Sequence, residues 1–189
     1  MAPIFEADLQ PEQSADREGR NAHEAVSQVH RLLNTGYTDV VDADRSGDFD
    51  SIPHPELMRS VARRISDRHV LALIKQWLVA PVEEDDGGGR RRRTTPAKET
   101  KRGIPQGAPS TPLLSNLYLR RFLLGWKTWG LEERLQARIV NFADDFVICC
   151  RGTGEQAMEA MRTMMERLKL TVNEEKTTRC QIPQGRFDF

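Results

Sequence analysis

The chain has 189 residues, of which 38% are hydrophobic and 30% are charged, and its formal net charge at pH 7 is zero. This composition supplies a hydrophobic core for about one compact domain, and it excludes a polycation that binds nucleic acid through its total charge. No apolar run of about 18 residues is present, which excludes an ordinary membrane-spanning helix.

The cysteines and the first residues predict the compartment. Cys149 and Cys150 are neighbours and Cys180 stands apart, which is neither a disulfide framework nor a zinc-ligand spacing. Met1–Gln10 lacks the basic head and apolar stretch of a secretory signal. We therefore expect a cytoplasmic protein without a membrane partner.

The N-terminal part predicts a loop, a helix and a strand, in that order. Residues 1–20 are polar and weakly periodic, which indicates loop or extended chain. Asn21 and Glu24 have the spacing of a helix-capping pair, and the apolar periodicity that follows predicts a helix over Ala22–Asn34. The β-branched segment Thr38–Asp44 then predicts a short strand.

The middle of the chain predicts two helices and a loop. The first helix has Pro55 in its first turn, and the second begins near Ser66-Asp67 and ends before Pro81. From there to Arg102 the sequence is acidic, then rich in glycine, then basic, which predicts a loop or the tip of a hairpin.

The C-terminal part predicts helices around a tight hairpin. The expected elements are an apolar helix from Thr111 to near Gly130, strands over Ala137–Phe142 and Phe146–Cys150, a methionine-rich helix ending near Leu168, and a strand over Leu170–Asn173. We expect the methionines and Trp77, Trp126 and Trp129 to lie in the core. Together the elements predict an α+β fold with a mixed or antiparallel sheet covered by helices on one face.

Two apolar strands flank the carboxylate pair Asp144 and Asp145. A solvated hairpin tip would explain both residues, since aspartate is common in turns. However, adjacent acids at the end of a buried hairpin repel each other unless a cation absorbs the charge, and Mg²⁺ prefers carboxylate oxygens. If the Thr38–Asp44 strand lies beside this hairpin, Asp44 and Asp144 converge. They would then suit two Mg²⁺ ions roughly 4 Å apart, as in phosphoryl transfer.

Calcium binding is an alternative for the same segment. The residues Asp42, Asp44, Ser46 and Gly47 follow the opening of a calcium-binding helix–loop–helix. The twelfth loop position requires a bidentate glutamate but is Pro53, which has no side-chain oxygen. The sequence therefore favours the magnesium interpretation.

The segment from Arg102 to Leu119 carries a specific resemblance. Its Gly-x-Pro-Gln-Gly turn, followed by Pro-Leu-Leu-Ser-Asn-x-Tyr-Leu at the start of a helix, resembles the reverse transcriptases of group II introns and their bacterial relatives. Four further blocks resemble the family in the same order: Arg17–His23, Asp42–His54, Phe142–Asp145 and Leu168–Thr177.

The resemblance implies a fold, an activity and its partners. The fold would be a right-hand polymerase palm, with partial fingers over 1–36 and the palm over 37–189, interrupted by a finger-like insertion around 55–110. The activity would be RNA-directed DNA polymerisation, in which a primer 3′-hydroxyl attacks the α-phosphate of a dNTP with two Mg²⁺ ions, or Mn²⁺, as cofactors. The partners would be an RNA template, a DNA primer, dNTP and the protein's own intron RNA.

The resemblance also implies the metal ligands. Asp44, Asp144 and Asp145 would be the catalytic carboxylates that bind the ions, and the main-chain carbonyl of Arg45 would be an additional oxygen ligand.

Four further residues receive roles from the resemblance. Phe49 would press on the sugar ring and exclude a 2′-hydroxyl, Gln106 would lie near the incoming nucleotide, and Gly107 would allow close approach of the backbone. Lys176 would protonate the leaving pyrophosphate. Each residue also has an interpretation without a catalytic role. Phe49 would be an ordinary core residue, Gln106 and Gly107 would form a tight turn, and Lys176 would be a solvated loop lysine.

Two alternatives stay open. The Arg90–Arg93 run would either contact template phosphates or form a solvated loop beside its acidic neighbours. The chain as a whole would either be an active polymerase or a catalytically silent palm remnant that binds RNA or a partner chain.

Overall fold

The computed structural model describes residues 2–13, 21–44, 51–85, 91–94, 96–105, 111–142 and 145–187. Its helices are α1 Ala2–Glu6, α2 Ala22–Asn34, α3 His54–Val61, α4 Arg68–Leu78, α5 Pro96–Thr100, α6 Thr111–Thr128, α7 Leu131–Arg134 and α8 Gly154–Arg167. Its strands are β1 Asp39–Asp44, β2 Val82–Asp85, β3 Arg91–Thr94, β4 Ala137–Phe142, β5 Asp145–Cys150 and β6 Thr178–Gln181.

Four strands form one sheet in the order β4-β5-β1-β6, and every neighbouring pair is antiparallel. Val41 of β1 stands opposite Ile148 of β5 on one side and Arg179 of β6 on the other. The predicted α+β class with an antiparallel sheet is therefore confirmed.

Apolar side chains cover both faces of this sheet. On one face, Val41 and Ile148 belong to the main core with α6 and α8. On the other, Val40 and Val147 pack with Val29 of α2. The predicted helical layer covers the first face, and α2 adds a helix on the second. The composition of β5 explains why both faces are covered. Residues 146 to 150 are all apolar and buried, and their side chains alternate between the two faces, so neither face is exposed to solvent.

The predicted helix starts agree with the structure. The side chain of Asn21 accepts a hydrogen bond from the N–H of Glu24 at 3.0 Å, so the capping residue of α2 is confirmed. Asp67 caps α4 by accepting from the N–H groups of His69 and Val70 at 2.7 and 3.1 Å. These bonds satisfy donors that the first helical turn leaves without partners.

Residues of the acidic and basic runs form two antiparallel strands, β2 and β3, where the sequence predicted a loop or the tip of a hairpin. Glu83 stands opposite Arg93 and Glu84 opposite Arg92 in the β2–β3 pair. The charge runs that cancel in the total are thus neighbours in the fold.

Two further predictions for secondary structure are wrong. Ala2–Glu6 is a short helix instead of loop, because the buried ring of Phe5 packs into the main core. Leu170–Asn173 is not a strand: the N–H of Thr171 donates to the hydroxyl of Ser51 at 3.4 Å, and no described strand pairs with this segment. The last strand comes later, at Thr178–Gln181, where it pairs with the outer edge of β1.

The prediction that all three tryptophans lie in the core is wrong for two of them, whereas the same prediction for the methionines is confirmed. Trp126 is 1% exposed and lies in the core, but Trp77 and Trp129 are 45% and 42% exposed. Trp77 lies on the outer side of α4, whose buried side is formed by Ile74 and Leu78. Trp129 follows α6, and the guanidinium of an arginine in α8 lies 4.7 Å from its ring centroid. The methionines of α8 are core residues as expected: Met161, Met164 and Met165.

None of the described helices has the length and apolarity needed to span a bilayer.

Candidate active site

The pairing of β1 with β5 brings two of the candidate carboxylate residues together. Asp44, the last residue of β1, is the register partner of Asp145, the first residue of β5. Residues directly opposite in an antiparallel pair have Cα atoms roughly 4.5–5.5 Å apart. The strand therefore lies beside the acidic hairpin, which is the condition for the carboxylates to converge.

The structure describes the backbone of Asp44 and Asp145, and the neighbouring candidates Arg45 and Asp144 lie outside the described residues. Residues 143 and 144 join Phe142 to Asp145, and these two residues are partners in the β4–β5 pair. Asp144 is therefore the preceding residue in the chain to Asp145, and Asp145 stands opposite Asp44 in the sheet.

The local sequence explains why the acids sit at strand ends. Val40 and Val41 in β1 and the apolar residues of β5 are completely or almost completely buried. Burial of these strands fixes their pairing, because a slip of one residue would move every apolar side chain to the wrong face. The register that results places Asp44 and Asp145 together where the buried segments end.

Lys176 belongs to the same end of the sheet. Thr178, the first residue of β6, pairs with Asp42 of β1, and the chains run in opposite directions. Lys176 lies two positions before Thr178, and Asp44 lies two positions after Asp42, so both residues lie beyond the same end of this strand pair. The N–H of Lys176 donates to the side-chain oxygen of Asn173 at 3.3 Å, in a turn that leaves the lysine exposed.

The candidate nucleotide-binding residues Phe49, Gln106 and Gly107 lie outside the described residues, but the segments leading to two of them are tied together. Pro53 and Arg102 form an isolated antiparallel bridge. The hydroxyl of Thr111 donates to the carbonyl of Pro105, so residues on either side of 106–110 are bonded to each other. The chain after Phe49 and the chain before Gln106 are thus neighbours.

An ion pair connects this region to the block after α8. The ammonium of Lys169 lies 2.6 Å from the carboxylate of Glu56, and its hydrogen bond holds the pKa of Glu56 below the ordinary value. Arg102 donates to the carbonyl of Lys169 at 3.3 Å. The segment at 168–177 that resembles the family is therefore joined to α3 and to the turn before Gln106.

Sequence analysis missed a second charged cluster, at the opposite end of β1. Asp39 is 1% exposed and accepts hydrogen bonds from Arg179 Nε at 2.8 Å, Arg179 Nη2 at 2.9 Å and Gly154 N at 2.8 Å. The bonds from Arg179 hold the pKa of Asp39 below its ordinary value. The cluster fixes β6 and the start of α8 to β1, and nothing in the spacing of these residues indicates it.

The described side chains include no group of three histidine, cysteine, aspartate or glutamate residues placed to hold a metal ion. The side chains of Asp44, Asp144 and Asp145 are not among those described.

A cavity of about 700 Å³ lies between α3 and α4. Its described lining is mostly aliphatic, with basic residues and no acid among the residues that the structure describes; the lining includes His54, Met58, Arg59, Leu71, Lys75 and Lys101. The described part of this lining therefore offers none of the carboxylate oxygens that Mg²⁺ prefers.

The chain matches the family described as reverse transcriptase (RNA-dependent DNA polymerase) over residues 1–187. It belongs to the reverse transcriptase family. The resemblance of the sequence blocks to this family is thereby confirmed.

Two curated proteins are similar in sequence. Protein YkfC of Escherichia coli (strain K12) is 31% identical over 220 residues, covering 98% of this chain and 55% of that protein. An uncharacterized 91 kDa protein in the cob intron of Schizosaccharomyces pombe is 30% identical over 105 residues, covering 56% of this chain and 12% of that protein. The chain thus spans about half of the first relative and a small part of the second.

Solved structures of telomerases show the same fold. The telomerase from Candida albicans in complex with a TWJ fragment of telomeric RNA superposes with a TM-score of 0.66 at 14% identity, over 98% of this chain and 35% of that chain. Apo telomerase from Candida tropicalis gives 0.62 at 11% identity, over 97% and 36%. The predicted polymerase palm fold is confirmed by this likeness.

Proposed function

We propose that this member of the reverse transcriptase family is an RNA-directed DNA polymerase of group II intron type, which adds a nucleotide from a dNTP to a primer 3′-hydroxyl. The observation that carries the proposal is the pairing of Asp44 with Asp145. The group II type is supported by the order of the sequence blocks and by the similarity to a protein in the cob intron.

The proposed metal ligands are the carboxylates of Asp44, Asp144 and Asp145 and the carbonyl of Arg45. Their oxygen donors fit a hard cation, and two acids that meet at the end of buried strands need one to offset their repulsion. Two Mg²⁺ ions, or Mn²⁺, would neutralise charge on the triphosphate when bound. The residues present therefore fit the cofactor.

The remaining residues position the substrate and move a proton. Phe49 excludes a ribose 2′-hydroxyl, and Gln106 and Gly107 contact the incoming nucleotide. The O–H bond of the primer 3′-hydroxyl breaks and its proton passes to solvent water, as the oxygen bonds to the α-phosphorus. The bond from the α-phosphorus to the bridging β-phosphate oxygen breaks, and the Lys176 ammonium gives a proton to the leaving pyrophosphate. Positioning and charge neutralisation supply most of the rate in such a reaction.

The proposed partners are an RNA template, a DNA primer, dNTP and the intron RNA of the chain itself. Two observations support an RNA partner: one fold neighbour is described in complex with telomeric RNA, and one relative lies in an intron. The division into partial fingers over 1–36 and a palm over 37–189, with an insertion around 55–110, is part of the same proposal.

Primer extension tests the proposed function. The substrate is poly(rA) with an oligo(dT) primer, Mg²⁺ and dTTP, and the proteins are wild type, Asp144→Ala and Asp44→Asn. Asp42→Asn is the matched control, because it makes the same charge change two positions earlier in β1. We expect incorporation by wild type and the control, and a loss of at least about a hundredfold in the two site variants, since each removes charge stabilisation of the transition state.

Two results would contradict this proposal, one its activity and the other its proposed carboxylates. A folded wild type that incorporates no dTTP would support the alternative, a catalytically silent palm that binds RNA or a partner chain. Equal incorporation by wild type and Asp44→Asn would remove the carboxylate pair from the mechanism. Tight Ca²⁺ binding that Asp42→Ala abolishes would revive the calcium-binding alternative.

A further inference from the structure

The cavity between α3 and α4 combines an aliphatic floor with a cationic rim. The floor includes Met58 and Ala62, on α3 and directly after it, and Leu71 and Leu78 on α4. The volume of about 700 Å³ lies within the range of cavities that hold small organic molecules, roughly 300–1,000 Å³. Such a floor offers an aliphatic molecule burial from water, which is the main favourable contribution to binding of apolar groups.

Three cationic side chains from separate segments line the same cavity. Arg59 belongs to α3, Lys75 to α4, and Lys101 directly follows α5; all three residues are exposed. The described lining contains no acid. The whole chain carries 28 acidic and 28 basic residues, so its composition does not account for a lining with charge of one sign.

These three cations lack the ion pairs that other exposed cations of the chain form. Within the part of the chain that the structure describes, no acid forms an ion pair with Arg59, Lys75 or Lys101. By contrast, the ammonium of Lys169 lies 2.6 Å from the carboxylate of Glu56. Glu56 lies one turn before Arg59 on α3, but its hydrogen bond comes from Lys169. The cationic rim is therefore available to an anion from outside the chain.

Backbone hydrogen bonds fix Lys101 beside the cavity. The N–H of His54 donates to the carbonyl of Lys101 at 3.0 Å, and the N–H of Gly103 donates to the carbonyl of Ile52 at 2.9 Å. His54 Nε2 also donates to the carbonyl of Gly103 at 2.7 Å. Lys101 has φ +54°, a conformation that is costly for a residue with a side chain, and these bonds hold it there. The rim is thus ordered before a ligand binds, which lowers the entropic cost of binding.

We propose that this cavity binds a small amphipathic anion, an aliphatic carboxylate whose chain lies on the floor and whose charge meets the three cations. A neutral apolar molecule would leave the cations without a counter-charge, and an inorganic anion would leave the floor in contact with water. A nucleic acid strand would bring phosphates, but its bases stack on aromatic rings, and the described lining has no phenylalanine, tyrosine or tryptophan. The inference does not depend on polymerase activity.

The test uses three probes with the same aliphatic chain and different charges: octanoate, octanol and octylammonium. Each is titrated, below the concentration at which it aggregates, into the isotope-labelled chain, and binding is followed by the NMR shifts of backbone amides. We expect octanoate to shift the amides of Met58, Leu71 and Lys101. It should bind about tenfold more tightly than octanol, and octylammonium should bind most weakly.

A first variant tests the aliphatic floor. Ala62→Trp fills the cavity from its exposed edge, so it should weaken octanoate binding by at least about tenfold. Ala22→Trp is the matched control, because Ala22 is exposed on α2 and lies outside the described lining. Thermal unfolding first verifies that both variants fold.

A second variant tests the cationic rim. Lys75→Gln/Lys101→Gln should weaken octanoate binding about fivefold and leave octanol binding unchanged, since exposed ion pairs contribute modestly and Arg59 remains. The control Arg63→Gln/Lys98→Gln removes the same charge outside the described lining and should bind octanoate like wild type.

Three outcomes would overturn the inference. Absence of octanoate-induced shifts at the lining amides would remove the site. Equal affinities for octanoate and octanol, or a wild-type octanoate affinity in Lys75→Gln/Lys101→Gln, would remove the anionic ligand. Shifts of the same amides by oligo(rA), with none from octanoate, would make the rim a nucleic-acid contact.

Discussion

Asp44 and Asp145 stand opposite each other at one end of the β1–β5 pair. Like charges on facing strand residues destabilise a sheet, and Asp144 adds a third acid beside them in sequence. The proposed function predicts that a divalent cation would offset this repulsion. Binding to the folded state then stabilises that state by mass action.

The first prediction concerns this carboxylate pair and Mg²⁺. We expect MgCl₂ to raise the Tm of wild type, and the double variant Asp44→Asn/Asp145→Asn to have a higher Tm than wild type without metal but little response to it. The measurement is thermal unfolding against MgCl₂, with NaCl at equal ionic strength as the control for screening. An equal Mg²⁺ response in wild type and the double variant would place the ion elsewhere.

The second prediction concerns the ion pair between the buried Asp39 and the more exposed Arg179. Arg179→Met leaves a buried carboxylate without its bidentate partner, which should cost about 3 kcal/mol of unfolding free energy. Asp39→Asn removes the buried charge itself, so it should cost less, about 1–2 kcal/mol. Urea denaturation of the two variants measures the difference. A larger loss of unfolding free energy in Asp39→Asn than in Arg179→Met would show that Arg179 is not the main group that stabilises the charge of Asp39.

The third prediction is the pH dependence of stability that follows from Asp39. Because the pKa of Asp39 is lowered in the fold, chiefly by the hydrogen bonds from Arg179, its contribution is complete above the unfolded pKa of about 3.9. It is lost as the pH falls through the lowered folded value. We expect the unfolding free energy of wild type to decrease below about pH 4, and that of Asp39→Asn to decrease less steeply.

The pKa values of Asp8 and Glu56 are also lowered, by their hydrogen bonds from Arg64 and Lys169. Both groups therefore also lower the unfolding free energy as the pH falls. The variant should therefore retain part of the acid sensitivity. Urea denaturation at a series of pH values tests this. Parallel pH profiles for wild type and Asp39→Asn would refute the contribution of Asp39.

The fourth prediction compares alanine at two helical glycines. A Cβ at Gly154 would overlap Asp39 Oδ1 and lie 2.8 Å from Arg179 Nε, so Gly154→Ala must displace the Asp39–Arg179 ion pair. A Cβ at Gly125 would lie 2.7 Å from Met164 Cε, which is the flexible end of a long side chain. Alanine also favours a helix over glycine by about 1 kcal/mol.

We therefore expect Gly154→Ala to lower the unfolding free energy by about 2 kcal/mol or more, and Gly125→Ala to change it by less than about 1 kcal/mol. Urea denaturation of both variants decides the matter. Similar losses at both positions would mean that Met164 cannot move aside.

Local sequence signals predicted much of this fold. Asn21 and Asp67 cap α2 and α4 because their side-chain oxygens accept from N–H groups two or three residues ahead, a bond that depends on near neighbours alone. The apolar runs around residues 137–142 and 145–150 likewise predicted the hairpin, because a buried strand needs apolar side chains on both faces.

Elements that depend on a distant partner were not predictable in this way. Thr178–Gln181 is polar and lacks alternation, yet it is a strand because β1 offers it an edge and Asp39 binds Arg179. Leu170–Asn173 has the composition of a strand, but Leu170 is used in the core and Thr171 bonds to Ser51. Similarly, nothing in the residues near His54 indicates its bond to Gly103.

The sequence by itself determined the chemistry available to the chain: acids at the ends of apolar strands, and a Gly-x-Pro-Gln-Gly turn before an apolar helix. Only the tertiary structure decided which of these residues meet. Antiparallel pairing placed Asp44 opposite Asp145, and the His54 bond joined the two segments that lead to the candidate nucleotide site. The physical reason is that register and long-range hydrogen bonds are fixed by burial of the whole core, which no single segment specifies.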